Sequence, residues 1–288
     1  MDKGGSLPFF AHAAKVRSPL FVLMARRDAA QTNSFCSPRR DQSCRRRTYH
    51  PCLPFHPVFK ERRILAQIVT YARPSRLFRY RRIDKETIDR ELKAIEESYI
   101  FCAGHTTLND PMEGGHRLST MLSKGRSSQA VKVKVEQAVG SMGIASFSEI
   151  KNHETMWAHY ANNFKGICIS YKTMSLISGL ASDIDIVKMN YSEDPPVLLR
   201  NSETPEERAK LSLSYKTLRW SQEREWRVFS INQGKQRYRN ISTVSAVYIG
   251  ARVENEERKT IIRRIRAIKI PVYKMRIDSY QLKFSNVV

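Results

Sequence analysis

Sustained apolar periodicity begins near Arg76 and runs to the C-terminus. Leu77-Phe-Arg-Tyr-Arg81 alternates, predicting a strand with Phe78 and Tyr80 on one face and Arg79 and Arg81 on the other. Asp84 is a candidate N-cap for a helix faced by Ile88, Leu92 and Ile95, and Tyr99–Ala103 reads as a second strand. Leu108-Asn-Asp-Pro-Met-Glu-Gly-Gly115 is a turn, because proline and paired glycines break regular structure. Residues 117–139 read as mostly helical, with Leu118, Met121 and Leu122 before Gly125 and with Val131, Val135, Ala138 and Val139 after it. Gly143–Ser148 follows as a short strand.

The densest pattern lies in Glu154–Tyr171. Trp157, Tyr160, Ala161 and Phe164 are spaced as one helical stripe, and Lys165-Gly166 ends it. Ile167, Ile169 and Tyr171 then alternate as a half-buried strand. Ile184–Tyr191 is a further strand, and Pro205–Arg219 a helix with Leu211, Tyr215 and Leu218 inward. Trp220–Ser230 carries a strand, Val244–Ile249 another, and Glu254–Ile268 a helix with Ile261, Ile262, Ile265 and Ile268. Pro271–Met275 is expected as the last strand. Helices and strands alternate without steady βαβ spacing, so the fold class expected is α+β, a mixed, mainly antiparallel sheet with flanking helices.

Charge changes this picture at the N-terminus. The formal charge is +22 over 288 residues, and residues 1–75 contribute +10 of it. Arg39-Arg40, Arg45-Arg46-Arg47 and Arg62-Arg63 interrupt prolines there, and apolar periodicity is short-lived. Residues 1–75 are therefore expected to be a disordered or artefactual basic extension of a single domain over 76–288. The five cysteines form no CxxC pair, which fits reduced thiols in the cytoplasm, and no metal site is expected. No apolar run reaches the ~20 residues that span a bilayer.

Six motifs occur in order: Phe78-Arg-Tyr-Arg81, Leu108-Asn-Asp-Pro-Met-Glu113, Phe147-Ser148, Met156-Trp-Ala-His-Tyr-Ala161, Gly166-Ile-Cys-Ile169 and Glu223-Arg-Glu-Trp-Arg227. Together they resemble the bacterial family called domain of unknown function 2971, from about Arg76 to the C-terminus. That family name carries no activity.

The chemistry is concentrated in the last motif. If it is a strand, Glu223, Glu225 and Arg227 project from one face, with Trp226 and Val228 turned to the core. Two carboxylates beside a guanidinium are costly to bury unless paired or used. The succession of an arginine strand, a serine strand and a Glu-x-Glu strand resembles the ADP-ribosyltransferase fold. The resemblance implies NAD as substrate, held by Arg79 or Arg81, a pocket propped by Ser146 or Ser148, and Glu225 steadying the ribosyl cation while Glu223 assists the acceptor. Trp157 and Tyr160 would stack on a base or on nicotinamide. Asn109, Asp110 and Arg227 complete the candidate ligand-binding set. The alternatives are a salt-bridged strand face with no chemistry, and a nucleic-acid-binding protein using its basic surface, with Arg258-Lys259, Arg263-Arg264, Arg266 and Lys269 on the last helix. GxGxxG, Walker A, HExxH and GxSxG motifs are absent.

Overall fold

A computed structural model describes residues 72–118, 128–198 and 204–287. The basic extension expected over residues 1–75 falls almost wholly outside them, as do Met121, Leu122 and Gly125.

Eight strands form the main sheet: β1 (Arg76–Arg81), β2 (Gly143–Ser148), β3 (Ile167–Lys172), β4 (Asp185–Lys188), β5 (Glu225–Ser230), β6 (Val244–Ile249), β7 (Val272–Asp278) and β8 (Gln281–Asn286). Their order across the sheet is β8-β7-β6-β3-β1-β2-β5-β4. All neighbours are antiparallel except β6 and β7, which helix α6 (Asn255–Ala267) connects. Among the described residues, five further helices precede α6: α1 (Ile88–Glu96), α2 (Ser128–Ser141), α3 (Glu154–Tyr160), α4 (Thr173–Gly179) and α5 (Pro205–Ser212). The α+β, mainly antiparallel class holds.

Strand alternation sorts the side chains into two layers. Leu77, Phe147, Ile167, Ile169, Trp226 and Val228 share one core cluster, into which α1 and α6 insert Leu92, Ile95, Ile261 and Ile265. Phe78, Tyr80, Cys168 and Tyr248 face the other way with Met156 and Trp157 of α3. A third cluster joins α2 and α5 to Ile144 and Phe229.

One irregularity sets up the site. β1 pairs with β3 along its whole length, from Arg76↔Lys172 to Arg81↔Ile167. On its other edge it meets β2 at a single position, Phe78↔Ser148. Beyond that bridge the two strands part, and the sheet is split between them. β2 meanwhile pairs fully with β5, from Glu225↔Ser148 to Ser230↔Gly143.

Several elements differ from the sequence expectation. Helix α3 stops at Tyr160, and Asn162, Asn163 and Phe164 all take positive φ in a tight turn. Phe164 still stacks on Trp157 at 6.4 Å, so its apolar spacing reports packing without helix. The turn is pinned because Gly166 and Gly250 admit backbone carbonyls where a Cβ would lie 2.2 Å from Arg81 O and Phe164 O respectively. The helix from Pro205 ends at Ser212, well short of Arg219. Tyr215–Lys216 is instead a short strand beside Asn190–Tyr191, and Leu218–Glu223 a 3-10 helix with Leu218 exposed. That pairing also breaks Ile184–Tyr191 into two pieces around Met189. Arg117-Leu118 is a strand paired with Val197-Leu198, not a helix start. Pro271–Met275 is followed by a further strand, β8. Asp84 accepts hydrogen bonds from the amides of Glu86 and Thr87, so it closes the turn ahead of α1, which begins at Ile88.

Candidate functional site

A cavity of about 200 Å³ lies in the split between β1 and β2. Because the strands part there, side chains from both faces of the sheet reach it. Arg79 and Arg81 come from one face of β1, while Ser146 and Ser148 of β2 and Glu225 and Arg227 of β5 come from the other. Asn109, Glu113, Tyr160, Lys216 and Glu223 add to the polar lining.

The β5 bank is a buried ion cluster. Arg227 is 1% exposed; its Nε donates to Glu225 Oε1 at 2.7 Å, and its Nη1 donates to the Leu213 carbonyl and pairs with Glu113. Lys216 Nζ reaches Glu223 Oε2 at 2.7 Å, Glu225 Oε2 at 3.1 Å and Glu113 Oε1 at 3.4 Å. The Tyr160 hydroxyl donates to Glu223 Oε1 at 2.5 Å. Three carboxylates thus face two cations, leaving one excess negative charge. Burial alone would raise the Glu225 pKa, but Arg227 and Lys216 outweigh it, with Ser146 assisting, and bring it down to about 2. Burial likewise opposes the charge on Arg227, and Glu225 and Glu113 more than reverse that, raising its pKa. Lys216 is depressed by burial and raised, on balance, by the same three glutamates.

The route by which Glu223 and Glu225 meet differs from the expected strand alternation. Glu223 ends the 3-10 helix, Arg224 takes a left-handed conformation (φ 45°), and Glu225 opens β5. The single left-handed residue turns the exposed Arg224 outward and its two neighbours inward, at roughly 1–2 kcal/mol of backbone cost. Ser148 secures this junction, donating to the Glu223 carbonyl at 2.7 Å and accepting from the Ile150 amide. The Tyr191 hydroxyl accepts the Glu225 amide.

On the β1 bank, Arg81 is held by Glu91 in a two-point ion pair, both contacts at 2.7 Å. Arg79 is 9% exposed, donates to the Phe101 carbonyl at 2.8 Å and lies over the Phe147 ring, but makes no ion pair among the described residues. Burial, with Arg81 adding repulsion, lowers its pKa.

Two expected site residues lie elsewhere. Trp157 is fully buried, its Nε1 donating to the Lys151 carbonyl and its ring meeting Tyr80 edge-on at 5.3 Å, so it supports β1 from below instead of stacking on a ligand. Asp110 is buried in the loop, where its carboxylate accepts the Met112 amide and its carbonyl the Glu113 amide; it shapes the turn that delivers Glu113. Glu113 and Lys216 were not singled out from the sequence. Glu113 ends a motif already noted, whereas Lys216 sits in a two-residue strand that carries no periodic signal.

The three carboxylates gathered here are paired with Lys216 and Arg227. No group of three or more His, Cys, Asp or Glu suited to a metal occurs among the described residues. Nor is any helix among them long and apolar enough to cross a membrane. On α6, Arg264 pairs with Glu96 and Asp89, Arg258 donates to the Val253 carbonyl, and Lys259 pairs with Glu256, so half of its expected basic set is engaged within the protein.

Residues 156–228 match the family model described as Protein of unknown function (DUF2971). No curated protein and no solved structure matches the chain. The motif resemblance to this family therefore holds over that stretch, which contains Tyr160, Lys216, Glu223, Glu225 and Arg227 of the cavity lining.

Proposed function

We propose that this DUF2971-bearing chain binds NAD in the split of its sheet and breaks the nicotinamide–ribose bond, passing ADP-ribose to an acceptor or to water. The observation that carries the reading is the cavity's two-pole lining. A buried arginine without a carboxylate faces, across the parted strands, a buried cluster with one excess negative charge. A pyrophosphate fits the first pole, since guanidinium presents a fork of donors to phosphate oxygens. A ribosyl centre gaining positive charge fits the second.

The chemistry follows from the protonation states. The C–N bond breaks with its electron pair leaving on nicotinamide, which departs neutral, and positive charge develops at the ribose carbon. Glu225, at about 2, is anionic throughout and too weakly basic to take a proton, so its role is to stabilise that charge. Its Oε2 already accepts from Lys216 Nζ and Arg227 Nη2 and its Oε1 from Arg227 Nε, so Glu225 acts through its charge and not through a further hydrogen bond. The acceptor's lone pair then forms the new bond to the ribose carbon. Glu223, held by a neutral phenol and a shared ammonium, receives the acceptor's proton and releases it to solvent.

Incubation of the full chain with NAD, with nicotinamide release as the readout, tests this. Glu225→Gln should lower the rate by at least about 100-fold, in line with the loss of one electrostatic stabiliser. It should stay folded, because the remaining cluster balances two carboxylates against two cations. Equal rates in the two proteins would remove Glu225 from the mechanism. No release by the wild type, with water and several acceptors offered, would overturn the reading.

A further inference from the structure

We propose that Lys216 is the positioning residue of the acidic pole, an ammonium that holds Glu223 and Glu225 side by side as anions. The inference rests on reading these two carboxylates as the reacting pair, and it gives Lys216 a role beyond its place in the charge count.

The geometry carries it. Lys216 reaches the cavity from the short strand Tyr215–Lys216, which aligns with Asn190–Tyr191, and its side chain is 3% exposed. The Trp220 ring covers it, 4.8 Å from Nζ to the ring centroid. An ammonium has three N–H donors, and three carboxylates lie within reach: Glu223, Glu225 and Glu113. Two donors go to Glu223 and Glu225 and Glu113 stands at ion-pair distance, so its part is to set the positions and charges of others.

Arg227 cannot substitute for it. Arg227 serves Glu225 and Glu113 from the far side and makes no contact with Glu223. The other groups bonded to the pair are neutral: the Tyr160 hydroxyl on Glu223, Ser146 on Glu225, the Tyr191 hydroxyl on the Glu225 amide, and Ser148 on the Glu223 carbonyl; Arg79 and Arg81 stand across the cavity and make no ion pair with either carboxylate among the described residues. Without Lys216, three buried carboxylates would keep Arg227 as their remaining ion-pair partner among the described residues. Carboxylates crowded in this way cannot all stay ionised, and one takes up a proton near neutral pH. The pair would then lose the arrangement of one fixed anion beside one proton acceptor.

Full-length wild type and Lys216→Met, labelled with carboxyl-13C glutamate, should be titrated by NMR between about pH 8 and pH 5, above the ordinary carboxylate range. Lys216→Met should gain one glutamate carboxyl that titrates in this window and is missing from the wild type. The new titration should vanish in Lys216→Met/Glu223→Gln, where the crowding is relieved. A folded Lys216→Met with the wild-type titration would overturn the proposal, since a packing role alone moves no carboxyl. Should Lys216→Met fail to fold, the charge-matched double variant decides: recovery of a cooperative transition supports the proposal, and no recovery overturns it. Nicotinamide release separates the two readings. With activity present, the acid limb of the rate–pH profile should move to higher pH in Lys216→Met. A new titration in a chain whose wild type releases no nicotinamide upholds the charge role and overturns the NAD reading alone.

Discussion

Arg79 and Arg227 stand on strands of the same sheet, both inside the protein, and line the same cavity from opposite banks. Arg227 has every obligation met: Glu225, Glu113 and the Leu213 carbonyl surround it, and its pKa is raised once they outweigh burial. Arg79 has one carbonyl and the face of Phe147, and its pKa is lowered by burial and by Arg81. A buried cation costs free energy unless it is paired. Arg227 recovers that cost inside the fold, whereas Arg79 does not. The difference separates a charge paired within the fold from one that makes no ion pair among the described residues.

The largest test of that contrast is Arg227→Met. It leaves Glu113 and Glu225 buried with Lys216 as their remaining cation, and should cost about 3–5 kcal/mol in a denaturant titration, as removal of one member of a buried ion network does. A loss below about 1 kcal/mol would make the pairing incidental and erase the contrast from one side.

Acid should expose the same cluster without mutation. The Glu225 pKa is depressed from an ordinary value of 4.5 to about 2. Its contribution is therefore fully present above pH ~4.5 and lost as the pH falls through about 2, and the shift corresponds to roughly 3 kcal/mol. Wild type should be the more stable at pH 6 and should converge on Glu225→Gln as the pH approaches 2. Parallel stability curves over that window would show that the cluster does not depend on the ionised Glu225.

The smallest expected change in stability belongs to the other bank. Arg79→Met removes a buried cation that makes no ion pair, together with its place over the Phe147 ring, and keeps an apolar stem, so stability should change by less than about 1 kcal/mol in either direction. Calorimetric titration with NAD should lose its binding signal in the same variant. A loss of stability like that of Arg227→Met, or unchanged binding, would show that Arg79 is structural after all.

Much of the frame was legible along the chain because it depends on short-range periodicity. β1, β2, β3 and β6 were placed by alternation, and α1 and α6 by their isoleucine and leucine spacing. The burial of Trp157 and Trp226 followed from the same phase. Failures came where a distant segment overruled local pattern. Phe164 has helical spacing but sits in a left-handed turn, held by the close approach of Gly166 and Gly250. Residues 213–219 have helix-forming character, yet the chain there is drawn out beside Asn190–Tyr191.

The sequence by itself determined part of the charge in the core, because Arg79, Glu223, Glu225 and Arg227 lie on or beside strands whose other positions are apolar. It also determined that Tyr160 follows a tryptophan whose side chain must be buried. Only the tertiary structure decided who pairs with whom. Glu113 joins the cluster from a loop far away in the chain and Lys216 from a two-residue strand just ahead of it, and charge pairing has no period to betray it. Nor could local pattern reveal the split between β1 and β2. A strand's own sequence fixes which side chains share a face, whereas the extent of its pairing is set by its neighbours, and here that pairing stops after Phe78↔Ser148 and leaves the cavity open.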